Sequence, residues 1–150
     1  MANSAGVCIS FKSEVMTALH ALGTTVTRGA TTADTVKAAL YFASATITNA
    51  TTAYTTTGEV TGTGYTAGGI TVTNATAPTT NGTQGVWTPS ASFVWSGLTA
   101  TAFDTVLLYN STQSNRAIEV CTFGSQTVTA GTLTLTMPAN TSGNALLQLA

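Results

Sequence analysis

Few side chains in this sequence are equipped for chemistry. His20 is the only histidine, and the carboxylates are Glu14, Asp34, Glu59, Asp104 and Glu119. His20 or an acid could act as a general base, but it would need a Ser or Cys nucleophile within hydrogen-bond reach. No Ser or Cys stands in a nucleophile context, and GxSxG does not occur. Two acids across a cleft would make a glycosidase pair; nothing in the spacing of these five points to one. Calcium takes several clustered oxygen ligands, and these acids are scattered. Asp104 and Glu119, lone charges in strand-like segments, are read as edge protection or as partners of Lys37 or Arg116. Cys8 and Cys121 form neither a CxxC pair nor a zinc-spaced cluster with His. In a reducing compartment they stay reduced thiols, with a bridge between them as the alternative. No catalytic residue, metal ligand or cofactor site is expected.

Other features have a bland and a sharp reading. The glycines of GEVTGTGYTAGG, Gly58 to Gly69, would suit phosphate binding only between a strand and a helix. Here a strand follows and no P-loop lysine is present, so the stretch reads as a loop of unusual backbone angles. Trp87, Phe93, Trp95, Phe103 and Tyr109 could form a sugar-stacking platform, but a β core of this size needs them inside. Sequons at Asn49, Asn74, Asn81, Asn110 and Asn140 follow from a composition rich in Asn and Thr.

Composition constrains function further. Charged residues make up 6% of the 150 residues, against about 25% in a typical soluble protein. Threonine replaces them, at roughly a quarter of the chain. The surface must therefore be hydroxyl, amide and methyl. Four basic residues and a net charge of −1 exclude nucleic acid as a partner, because phosphates need several Lys or Arg. There is no basic amphipathic helix and no apolar run of membrane-spanning length, so no membrane partner is expected. The start, MANSAGVCISFKSE, lacks the cationic and apolar regions of a secretory signal, which suggests synthesis in a cytoplasm.

Threonine favours pleated sheet over helix, so the elements that position these residues should be strands. One helix is expected from Ser10, as cap, to Leu22, with Phe11, Val15, Leu19 and Leu22 on one face, Met16 beside it and Gly23 as the stop. Val36 to Phe42 alternates with both faces apolar, which predicts a central strand. Short strand pieces are expected at Thr46–Thr48 and Ala53–Thr57, around a turn at Asn49–Thr52, and a strand at Ile70–Asn74. Pro89 interrupts an aromatic stretch and suggests an edge or a bulge. Ala102–Tyr109 and Ala117–Phe123 form a hairpin about the turn NSTQSN. Thr127–Met137 follows with a turn at Ala130–Gly131, and Ala145–Leu149 is a last strand. The expected fold is all-β: an antiparallel β-sandwich or jelly roll of about eight strands with one short N-terminal helix, in a single domain (1–23 arm and helix, 24–150 sandwich).

Laid out in this way, three segments resemble a group of small tailed-bacteriophage structural proteins of the head-decoration or cement kind. They are SFKSEVMTALHAL, the run KAALYFASATITNATTAYTTTGEVTGTGYTAGG from Lys37 to Gly69, and FVWSGLTATAFDTVLLYNSTQSNRAIEVCTFGSQTVTAGTLTLTMP from Phe93 to Pro138. The resemblance implies a virion protein on the capsid exterior, made in the host bacterial cytoplasm. It would bind the major capsid protein or another virion protein as a homo-oligomer, with a trimer favoured. A glycan-binding adhesin or a fibre- or tail-associated module is the alternative. Terminal segments are free to order on a partner, so the contact is expected in the arm and helix, through Phe11, Val15, Met16 and Leu19.

Overall fold

In a computed structural model of the chain, residues 3–16, 19–24, 33–82 and 84–149 are described, with backbone alone at 12–14 and 16. Among the described residues, eight strands and one helix follow in order: β1 (Gly6–Val7), α1 (Ile9–Met16), β2 (Val36–Phe42), β3 (Ile70–Thr71), β4 (Thr79–Asn81), β5 (Gln84–Trp87), β6 (Phe93–Asn110), β7 (Arg116–Leu135) and β8 (Leu147–Leu149). They form two antiparallel sheets, ordered β1-β7-β6-β2-β3 and β4-β5-β8. The fold is an all-β sandwich. One continuous apolar cluster takes Leu40, Phe103, Leu107 and Ile118 from the larger sheet, Trp87 and Leu147 from the smaller, and Phe11 from the helix.

The two-residue alternation of VKAALYF yields β2, which lies between β6 and β3 with Ala38 to Tyr41 fully buried. The hairpin forms where its turn chemistry requires. Asn110 Oδ1 accepts the N–H groups of Thr112 and Gln113, both at 3.1 Å, an Asx turn. Ser114 and Asn115 then take positive φ (52° and 58°) to reverse the chain.

The hairpin arms are far longer than the sequence pattern suggests. β6 has 18 residues and β7 has 20. Gly97 and Ala130–Gly131, which resemble turn sites, lie inside continuous strands. Register shifts occur between Trp95 and Leu98, Leu98 and Ala100, Ala100 and Phe103, and Phe103 and Thr105. Each falls beside a residue of positive φ: Gly97 (67°), Ala130 (46°), Ala102 (52°) and Gly124 (79°), in that order. Extra residues bulge outward there and the ladder resumes. Turn and bulge draw on the same left-handed backbone, so the expected turn at Ala130–Gly131 is corrected to a bulge.

Other boundaries also move. Thr46–Thr48 and Ala53–Thr57 are not strands; Ala53 makes an isolated bridge to Arg116, and the turn between them closes with Thr51 N–H on Thr48 O at 2.9 Å. The strand expected to reach Asn74 stops at Thr71, and β4 and the start of β5 lie between Asn74 and Gly85. Pro89 sits buried in the break between β5 and β6.

The helix starts at Ile9 and is assigned only to Met16, so Ser10 lies in its first turn instead of capping it. Leu19 to Leu22 are irregular, and Gly23 packs against Pro78 instead of ending a helix. Eight residues are too few to hold a helix on their own; burial of Phe11 holds this one.

Candidate functional site

Three of the carboxylates, Glu59, Asp34 and Asp104, are held by hydrogen bonds within the fold. Glu59 is buried and accepts three short hydrogen bonds: from Tyr54 Oη at 2.6 Å, Tyr65 Oη at 2.7 Å and the Gly68 N–H at 2.7 Å. Tyr65 Oη in turn accepts the Leu40 N–H at 3.0 Å. Tyr109 stacks on Tyr54 (centroids 4.7 Å apart) and donates to Gly68 O at 2.8 Å, and Tyr41 donates to Thr55 O at 2.6 Å. All four tyrosines of the chain thus gather about one carboxylate. The network fastens the 54–69 loop to the β2 edge, helped by Gly69 (φ 71°), where a Cβ would collide with Ala38 O. Burial first, then the hydrogen bond to Glu59, pushes the Tyr54 and Tyr65 phenols above their ordinary range.

His20 and Asp34, distant in sequence, meet through Asn110. Its Nδ2 donates to Asp34 Oδ2 at 2.8 Å and lies 3.1 Å from His20 Nδ1. Asp34 also accepts the Ala21 N–H at 2.9 Å and Gln113 Nε2 at 3.3 Å. This clamp ties the hairpin turn to the segment before β2. Sequence reasoning missed Asn110 and Gln113, because their only local signal is turn chemistry. Asp104 accepts from Asn3 Nδ2 at 2.8 Å and Thr105 Oγ1 at 2.6 Å.

Glu119 is not an edge charge. Over its length β7 lies beside β6, but at Val7↔Glu119 it is flanked by β1 as well, so Glu119 is buried within the sheet between Val7 and Leu108. Burial alone pushes its carboxyl up to about 8. Cys121, next on that face, is pushed above the ordinary thiol range by burial first and the Glu119 charge second. Cys8 and Cys121 are reduced thiols, not joined to each other. Cys8 donates its N–H to Ile118 O, three residues from Cys121, or about 10 Å along a strand, beyond the span of a disulfide.

The expected contact residues occupy different places. Phe11 is fully buried in the chain's own core. Val15 and Leu19 are half-buried, and the Met16 side chain lies outside the described residues. Phe11, Val15, His20 and Leu22 line a pocket of about 170 Å³ against Trp87 and Leu147 of the smaller sheet. The arm is held down as well. β1 pairs with β7, Asn3 Oδ1 accepts the Ile47 N–H at 2.9 Å, and Ile9 N–H reaches Asn49 O at 2.9 Å. Trp87 and Trp95 are only 2% and 3% exposed, so the residues of a sugar-stacking platform are inside.

What the fold presents outward is the distal β6–β7 ribbon. Phe93, Trp95, Leu98 and Leu133 point into the core. Val94, Ser96, Thr99, Thr101, Thr127, Thr129, Thr132 and Thr134 alternate with them and are exposed. No protein family, curated protein or solved structure compared with this chain matches it. Its surface chemistry must speak for itself.

That chemistry is neutral. From Val120 to Ala150 there is no Asp, Glu, Lys or Arg. The two edges of the ribbon are treated differently. Along β6, the loop after Glu59 covers the edge: Thr99 N–H donates to Thr63 O at 2.8 Å, and Gly64 presses so close that a Cβ would strike Gly97 O. Along β7, β1 pairs only at Glu119 and Val120. Beyond that, among the described residues, no strand lies against the outer side of Cys121–Leu135. A row of half-buried apolar side chains, Phe123, Val128, Leu135 and Met137, runs beside that bare edge.

Proposed function

We propose that this chain is a structural component of a tailed-bacteriophage virion, seated on the capsid exterior as a symmetric homo-oligomer in contact with the major capsid protein. Its work is adhesion rather than catalysis. The observation that carries the reading is the uncharged, threonine-faced ribbon with one bare edge. A hydroxyl and main-chain surface of this kind joins protein to protein, and symmetry multiplies many weak contacts into a firm attachment. The carboxylates support a non-catalytic role, since Glu59 and Asp34 are each held by at least three hydrogen bonds within the fold. With few ions to screen, the attachment should barely respond to salt.

The test is a cryo-electron map of the virions whose genome encodes the chain, together with particle washes across a range of salt. The reading requires density for this fold on the shell and occupancy that holds from low to high salt. Particles without it, or occupancy that collapses steeply with salt, refute the reading.

A further inference from the structure

The bare edge of β7 identifies its own partner. We infer that two copies of this chain pair through Cys121–Leu135, antiparallel about a two-fold axis, so that the five-stranded sheet continues across the axis into the second copy. The inference deepens the self-association part of the proposed function and rests on it.

Three observations support it. An unpaired strand edge exposes a row of N–H and C=O groups that another strand satisfies. Proteins usually blunt such edges with Lys, Pro, β-bulges or a covering loop, and of these β7 has only its bulges, at Gly124 and Ala130. Here the β6 edge of the same ribbon has its loop, whereas Val120–Met137 contains neither a charged residue nor a proline. The second observation is self-complementarity. About a two-fold through the middle of Cys121–Leu135, residues close to Val128 meet their own kind or a near neighbour, so an ionised side chain there would repel its copy; none is present. The exposed Thr127, Thr129, Thr132 and Thr134 suit cross-strand hydroxyl contacts. The third is the apolar row of Phe123, Val128 and Leu135, half-buried along the same edge, which a second copy would cover. The bulge at Ala130 turns that residue's N–H inward, onto Thr99 Oγ1 at 2.9 Å, leaving the groups on either side for the partner.

Sedimentation equilibrium and amide hydrogen exchange on the whole chain test this. The wild type should form dimers, and N–H groups of Cys121–Leu135 should gain protection as concentration rises. The variants T127K/T129K and T127E/T129E, at exposed positions that oppose one another across the axis, should each weaken pairing by about tenfold or more, since like charges then face one another. Mixing the two should restore a heterodimer. An oligomer untouched by either variant, with edge amides still exchanging, overturns the edge pairing but leaves self-association standing. A wild type monomeric at every concentration that still binds capsids overturns the pairing and spares the virion reading. Failure of the mixture to recover, with both variants folded by circular dichroism, also overturns it.

Discussion

Replacing Glu119 with glutamine should flatten the dependence of stability on pH. Glu119 is 9% exposed, and its carboxyl is raised from 4.5 to about 8 by burial alone. Below pH 4.5 the group is protonated in the folded and unfolded chain alike and carries no ionisation penalty. Between 4.5 and about 8 the unfolded chain ionises while the folded chain keeps its proton. Stability then falls by about 1.4 kcal/mol per pH unit. Above about 8 both states are ionised and the loss is complete, at roughly 5 kcal/mol. That is a large share of the 5–15 kcal/mol typical of a domain. The amide of the Glu119→Gln variant keeps the shape and has nothing to ionise. Urea unfolding of both proteins at pH 5, 6.5 and 8 measures the slopes directly. The wild type should lose stability with pH much faster than Glu119→Gln, so that the variant overtakes it toward pH 8. Staying at or below pH 8 keeps Cys121 and the tyrosines out of the comparison. Parallel curves for the two proteins would refute the assignment of this pH response to Glu119.

Other substitutions report on other parts of the fold. Ala102→Gly and Ala130→Gly should each raise stability by up to about 1 kcal/mol, because a left-handed alanine costs roughly 1–2 kcal/mol and only part of that is returned as lost chain entropy; chemical denaturation measures both. Tyr65→Phe leaves Leu40 N–H without its acceptor and takes one donor from Glu59, and should cost about 2–4 kcal/mol on the same scale. Phe11→Ala empties a fully buried site and should cost about 3–5 kcal/mol, with a large fall in thermal midpoint. In the folded chain, Cys8 and Cys121 should react with a thiol reagent far more slowly than after unfolding, and reductant should leave the unfolding curve unchanged.

Much of the architecture could be read in the residues. The alternation of VKAALYF, the Asn-led turn after Tyr109, the glycine-rich loop and the inward aromatics all reflect local rules that the packed chain obeys. The misreadings have a common cause, which is that the deciding neighbours are far away in sequence. Ala130–Gly131 looks like a turn because turns and bulges ask for the same backbone; only the facing strand tells them apart. Glu119 looks like a solvent-facing edge charge until β1 comes to lie beside it. The arm looks free until Gly6 meets Val120. The threonine alternation of the ribbon was visible from the start, but the bareness of the β7 edge was not, because it depends on β1 being only two residues long.

The gathering of every phenol in the chain about Glu59 gives the molecule a built-in reporter. Absorbance and fluorescence from tyrosine arise from a single place, the junction of the 54–69 loop with β2. Detachment of that loop would release the stacked and hydrogen-bonded rings together, and their spectrum would change as one signal. The two tryptophans, set in β5 and in the distal part of β6, register events elsewhere. Red-edge excitation selects the tryptophans, and difference absorbance in the phenol band follows the loop, so the two can be compared during unfolding without any label.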